Sequence, residues 1–186
     1  MRLFSALFLT LSLLWGSYAF MNQKTLQPVK KFDYASSWKK VQEFEDKGLP
    51  ESALNIVREI YAGARSESDA QQLVKAMIFK MKYTDYKEED AFLKNLNSLE
   101  EEIKTAEFPV TPLLHSMLAE GYWNYYRNNR YRFDDRTATV NFDNNDIATW
   151  DLSKIVHETQ KHYQLSLADA DHLKTFMINR FDEILM

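Results

Sequence analysis

A chain of 186 residues with 27 acidic and 23 basic side chains has a formal net charge of -4, the wrong sign for gripping nucleic-acid phosphates. It has no cysteine, which excludes disulfides, thiol catalysis, thioester chemistry and a lipid-modified cysteine anchor. Four glycines and four prolines are too few turn formers for hairpin-joined sheets, so the predicted class is all-α, held together by packing.

Arg2 gives the chain a positive start, Leu3 to Trp15 is almost unbroken apolar sequence, and Ser17-Tyr18-Ala19 follows. That order predicts a secretory signal peptide over residues 1–19, cut after Ala19. The expected location is therefore outside the inner membrane, periplasmic or at the cell surface. The apolar run of roughly 13 residues falls short of the ~20 that cross a bilayer, so no stable insertion is expected after cleavage. Losing Arg2, the only charge in that segment, leaves a mature chain of about 167 residues with a charge of about -5, enough for one domain.

Residues 20–32, polar and containing Pro28, are expected to be a flexible tether, with a single helical domain over 33–186. A first helix is predicted from Tyr34 to Lys47, with Trp38, Val41 and Phe44 on one face and Gly48 ending it in a left-handed conformation. Pro50 opens a second helix with the stripe Ala53, Leu54, Val57, Ile60, Tyr61 and Ala64. The short connection makes these two antiparallel. A third helix follows Ser68, which has capping-box spacing to Gln71, and carries Leu73, Ala76, Met77 and Met81. After a polar turn a fourth shows Phe92, Leu96, Leu99 and Ile103, with Glu100 to Glu102 outside, and Phe108-Pro109 stops it.

Thr111-Pro112 then supplies an N-cap and first residue for a fifth helix running to Asn128. Leu114, Met117, Leu118, Tyr122, Tyr125 and Tyr126 make it apolar nearly all round, as befits a central helix. Residues 129–148 break the periodicity, with brief alternation from Thr137 to Phe142. A loop this long is expected to be ordered and to have a role. A sixth helix begins near Trp150, lined by Leu152, Ile155, Val156, Thr159 and Tyr163. A short seventh is capped by Ser166 or Asp169. Phe181 to Met186 gives the domain an apolar, unfinished end. The expected architecture is antiparallel helical hairpins, six to seven helices with one long irregular loop. Gly48, Ala53 and Val57 echo a tetratricopeptide unit without a 34-residue recurrence.

The densest chemical feature is Tyr122 to Phe133. Tyr122, Trp123, Tyr126, Arg130, Arg132 and Arg136 are the candidate binding residues: aromatic faces and guanidinium forks anchor protein partners or stack on sugars. The same Tyr side chains can be core, and the arginines can instead pair with Asp134, Asp135, Asp143 or Asp146. Asp143-Asn144-Asn145-Asp146 lacks the Gly and the closing Glu of an EF-hand, and Asp146 serves better as a helix cap. His115, His157, His162 and His172 form no i, i+4 pair, so neither metal nor cofactor is expected. No nucleophile or acid–base pair stands out, and the chain is expected not to be an enzyme.

The strings Trp38-Lys39-Lys40-Val41, Gly48-Leu49-Pro50-Glu51-Ser52-Ala53-Leu54 and Lys75-Ala76-Met77-Ile78 resemble the helical N-terminal region of very large bacterial alpha-2-macroglobulin-like proteins. So do Leu114 through Tyr126, Asn129 through Phe133, Arg136-Thr137 and Asp146 through Leu152. The resemblance implies an endopeptidase inhibitor family whose members trap proteases with β-sandwich macroglobulin domains and a bait segment. Those domains and the thioester cysteine are not in this chain, so no inhibitory residue carries over. It implies a fragment, a truncated product or a lone accessory domain, with partners in other domains of the same or a companion polypeptide, or in proteases. The alternative is a free-standing tetratricopeptide-like module that binds peptides or glycans.

Overall fold

A computed structural model describes residues 31–85, 91–134, 146–182 and 184. The predicted signal peptide and most of the tether lie outside them. Among the described residues there is no strand, and the chain forms eight α-helices, two of them only four and six residues long.

Helix α1 spans Tyr34–Asp46, and Asp33 caps it by accepting from the Ser36 N–H. Gly48 closes it at φ +66, where a side chain would be strained. Helix α2, Pro50–Glu67, buries Ala53, Leu54, Val57, Ile60 and Ala64, the predicted stripe, while Tyr61 is only half-buried. Phe32 is no part of a tether. Its N–H donates to Glu67 at 2.6 Å, and its ring packs so close to Gly63 that a Cβ there would stand 2.7 Å from it.

Helix α3, Ala70–Asp85, is capped differently from the sequence expectation. Ser68 takes a left-handed conformation, φ 54, and its N–H closes the end of α2. Asp69 is then the cap, its carboxylate accepting from the Gln72 N–H at 3.0 Å. Trp38 contacts Gln72 and Phe79, and Glu45 accepts from Lys82, so α1 and α3 run parallel with α2 antiparallel between them.

Helix α4, Ala91–Ile103, buries Leu96 and Leu99 as predicted, together with Asn95. Phe92 does not join that face; it is exposed and stacks on Tyr125. Helix α5 spans Val110–Asn128, beginning two residues before the predicted start. Thr111 does not cap it, because its hydroxyl donates back to the Ala106 carbonyl. Pro112 is tolerated inside because first-turn N–H groups have no intrahelical acceptor. Gly121 lets α4 close on α5, since a Cβ there would overlap the Leu96 side chain.

Helix α6 is the short turn Tyr131–Asp134. Asp146 caps a 3₁₀ turn, Ile147–Thr149, by accepting from the Ala148 N–H. Helix α7, Leu152–Ser166, starts on Asp151, and α8, Ala170–Thr175, starts on Asp169 rather than Ser166. Another 3₁₀ turn, Ile178–Phe181, brings Phe181 into the core. On α7 only part of the predicted lining is covered: Ile155 and Thr159 are buried, whereas Leu152, Val156 and Tyr163 are exposed.

From Phe32 onward the chain is one unit with two packed centres. One joins α1, α2 and α3 around Val41, Val57 and Ile60. The other surrounds α5 and gathers Leu114, Leu118, Tyr122, Trp150 and Ile155. Helix α5 packs on both α4 and α7, the central position its all-round apolarity predicts.

Candidate interaction surface

The C-terminal half of α5 places successive aromatic side chains on different sides of the helix, because each residue turns it by about 100°. Tyr122 turns inward. It is buried, its ring lies 5.3 Å from Trp150, and its hydroxyl donates to Glu100. Burial, then the Glu100 carboxylate, raise its pKa far above the phenol range. Tyr122 is therefore a core residue and leaves the set of candidate surface residues. Tyr125 is buried with it, against Phe92 and Phe133.

Trp123 turns outward and stays 36% exposed. Tyr126 leans on it at 5.1 Å and reaches Phe133 on the other side, so it is half-buried and fixes the indole. Asn129 ends the helix, its side-chain amide donating to the Tyr125 carbonyl. Arg130 and Arg132 are exposed on either side of Tyr131, which is 70% exposed. Among the described residues neither arginine has an ion pair. Arg136, Asp143 and the Thr137–Phe142 alternation lie outside the described residues. The two ends of the irregular segment are anchored, by buried Phe133 before it and by Ile147 and Trp150 after it.

Arg132 also lines an open groove of about 460 Å³ between α4, the end of α5 and Ala148. Phe92 and Tyr125 form one wall as near-parallel rings, and Asn128, Asn129 and Arg132 supply polar groups. Aromatic faces with amide and guanidinium donors suit a peptide or a sugar. No group of three or more His, Asp or Glu among the described residues could hold a metal. No described helix is long and apolar enough to cross a membrane.

The structure also shows polar contacts that the sequence analysis missed. Glu100-Glu101-Glu102 is not simply a solvated face. Glu102 accepts from the Tyr61 hydroxyl at 2.5 Å and from Arg65 at 2.9 Å, and only Glu101 points to solvent, with Lys104. His115 and His162, 47 residues apart, meet between α5 and α7.

Comparison with protein-family models, curated proteins and solved structures finds no match to this chain.

Proposed function

We propose that this chain is a non-enzymatic scaffold and protein-interaction domain acting outside the inner membrane. On the resemblance noted above, it would be the leading helical part of an alpha-2-macroglobulin-like protease-trapping protein. The observation that carries the interaction role is that Trp123, Arg130, Tyr131 and Arg132 are all exposed within ten consecutive residues. An exposed Trp, an exposed Tyr and two exposed arginines without ion pairs among the described residues have the composition of an interface hot spot. Tyr126 braces the indole from within, so little side-chain entropy is lost when a partner closes over it.

Titration calorimetry against isolated macroglobulin domains of a bacterial alpha-2-macroglobulin-like protein tests this. Saturable binding is expected, weakened at least about tenfold by Trp123→Ala or Arg132→Ala, a loss typical of hot-spot truncation. Both variants should melt like the parent. Binding that ignores both substitutions refutes the assignment of these residues.

The groove that Arg132 lines favours a second reading, a free-standing peptide or glycan binder. In that case the macroglobulin domains give no heat. An oligosaccharide or extended peptide binds instead, and Phe92→Ala abolishes it.

A further inference from the structure

Helices α5 and α7 share the most extensive interface of the fold, and a pair of imidazoles sits within it. His115 Nδ1 lies 2.9 Å from His162 Nδ1, with the rings 5.0 Å apart. His162 has only 12% of its side chain exposed, and Tyr122 meets its ring edge-on. A contact of that length is a hydrogen bond with room for one hydrogen. In the neutral pair one ring donates from Nδ1 and the other accepts. A first added proton can sit on the donor's far nitrogen and leave the bond intact. A second must go onto the accepting Nδ1, placing two N–H groups and two positive charges face to face.

The surrounding charges relieve that repulsion only in part: Glu158 favours a charged His162, but less than burial, His115 and Lys161 oppose it. On α7, Glu158 stands 3.9 Å from His162 Nε2, but it already accepts from Lys154 at 2.7 Å and Lys161 at 2.8 Å. Burial pushes Glu158 up, and the two ammonium hydrogen bonds overcome this and hold it below its usual range. Lys161 acts on both histidines as a like charge. On α5, Glu120 accepts from Tyr163 and Tyr122 is a neutral phenol, while on α4 Glu100 is held by Tyr122. Among the described residues, the carboxylate that acts on the pair is Glu158, and it is already shared between two lysines.

We propose that the His115–His162 contact is an acid-sensitive latch, closing α7 on α5 while the pair holds at most one extra proton and releasing it when both rings are charged. Burial, then His115 and Lys161, depress His162 to about 4; burial, then Lys161, depress His115. The unfolded chain binds these protons at about pH 6.5, before the folded pair does, so stability is full above that value and is lost as the pH falls towards His162's own. Coupled groups titrate in separate steps, and the second step opens the latch. An exported chain meets the pH of its surroundings directly, though the latch itself does not depend on export.

Hydrogen exchange of the full chain, read by mass spectrometry and corrected for the chemical rate, tests this. Between about pH 7 and about pH 4.5, peptides covering 152–166 should gain at least about tenfold in exchange relative to those covering 50–67, the mark of a local opening. His115→Gln keeps a hydrogen-bonding neighbour for His162 but cannot be charged, and should abolish that gain. If this variant does not fold, NMR titration of the parent's ring Cε1–H signals decides instead. Two separated steps are expected, with the α7 amide shifts following the lower one. The proposal is overturned if α7 keeps pace with α2, if His115→Gln keeps the same acid response, or if both rings titrate together near about pH 6.5.

Discussion

Leu118 is the most direct test of the second packed centre. It sits in the middle of α5, fully buried, in one cluster with Leu114, Tyr122, Trp150 and Ile155. Leu118→Ala removes the equivalent of three buried carbons, about 2.4 kcal/mol of transfer free energy at about 0.8 each. Helices on both sides hold the surrounding walls, so little of the space can collapse and a cavity term adds to the loss. A total of about 2–5 kcal/mol is expected. With a urea slope of about 1–3 kcal/mol per molar, the midpoint falls by about 0.7–5 M. Circular dichroism at the helical minimum across a urea series measures it, with Glu101→Ala as the exposed control. If both variants unfold at the parent's midpoint, α5 is not the centre of this core.

Glu102→Ala leaves Tyr61 without its carboxylate and Arg65 without its ion pair. Because Arg65 still donates to the Tyr61 hydroxyl and is itself 46% exposed, the loss should be only about 1–2 kcal/mol in the same melts, and Glu101→Ala should cost under about 0.5. Ser68→Gly relieves a left-handed backbone and should raise the thermal midpoint, whereas Asp69→Ala removes a cap and should cost about 0.5–2 kcal/mol. A lower midpoint for Ser68→Gly would show that the turn between α2 and α3 is misplaced.

The helices were legible in the sequence because one-sided burial leaves a period. Ala53, Leu54, Val57, Ile60 and Ala64 recur at helical spacing, and all are buried. Apolarity on every side of α5 likewise marked its central place. What one helix cannot tell is which neighbour receives each side chain. Glu100, Glu101 and Glu102 look alike in sequence, yet steps of about 100° send them three ways, to Tyr122, to solvent and to Tyr61. Ser68 and Asp69 can both cap a helix, and the choice depended on how α2 ended. Among the candidate site residues, Trp123 is exposed and Tyr122 is core although they are adjacent, because only the packing of α4 and α7 distinguishes those faces. The His115–His162 meeting left no local signal, since a contact between two helices has no spacing of its own.

These contacts share a form that suits a chain without disulfides. Apolar ridges give helices a reason to associate but tolerate sliding, and a slip of one turn, about 5.4 Å, keeps most of the buried area. A hydroxyl bonded to a carboxylate does not tolerate it, because a charge-assisted hydrogen bond is lost within about an ångström of stretch. Tyr34 donates to Glu67 and joins α1 to α2; Tyr61 donates to Glu102 and joins α2 to α4. Tyr122 donates to Glu100 and joins α5 to α4; Tyr163 donates to Glu120 and joins α7 to α5. The bonds thus run from α1 through α2, α4 and α5 to α7, each fixing one helix against another. The more exposed of them contribute little free energy, as solvent competes for both groups. Their effect is on register: each forms only when the two helices it joins are aligned to within about an ångström. That alignment holds α4 and α7 against α5, keeping Tyr122 in the core and leaving Trp123 and the arginines after it exposed.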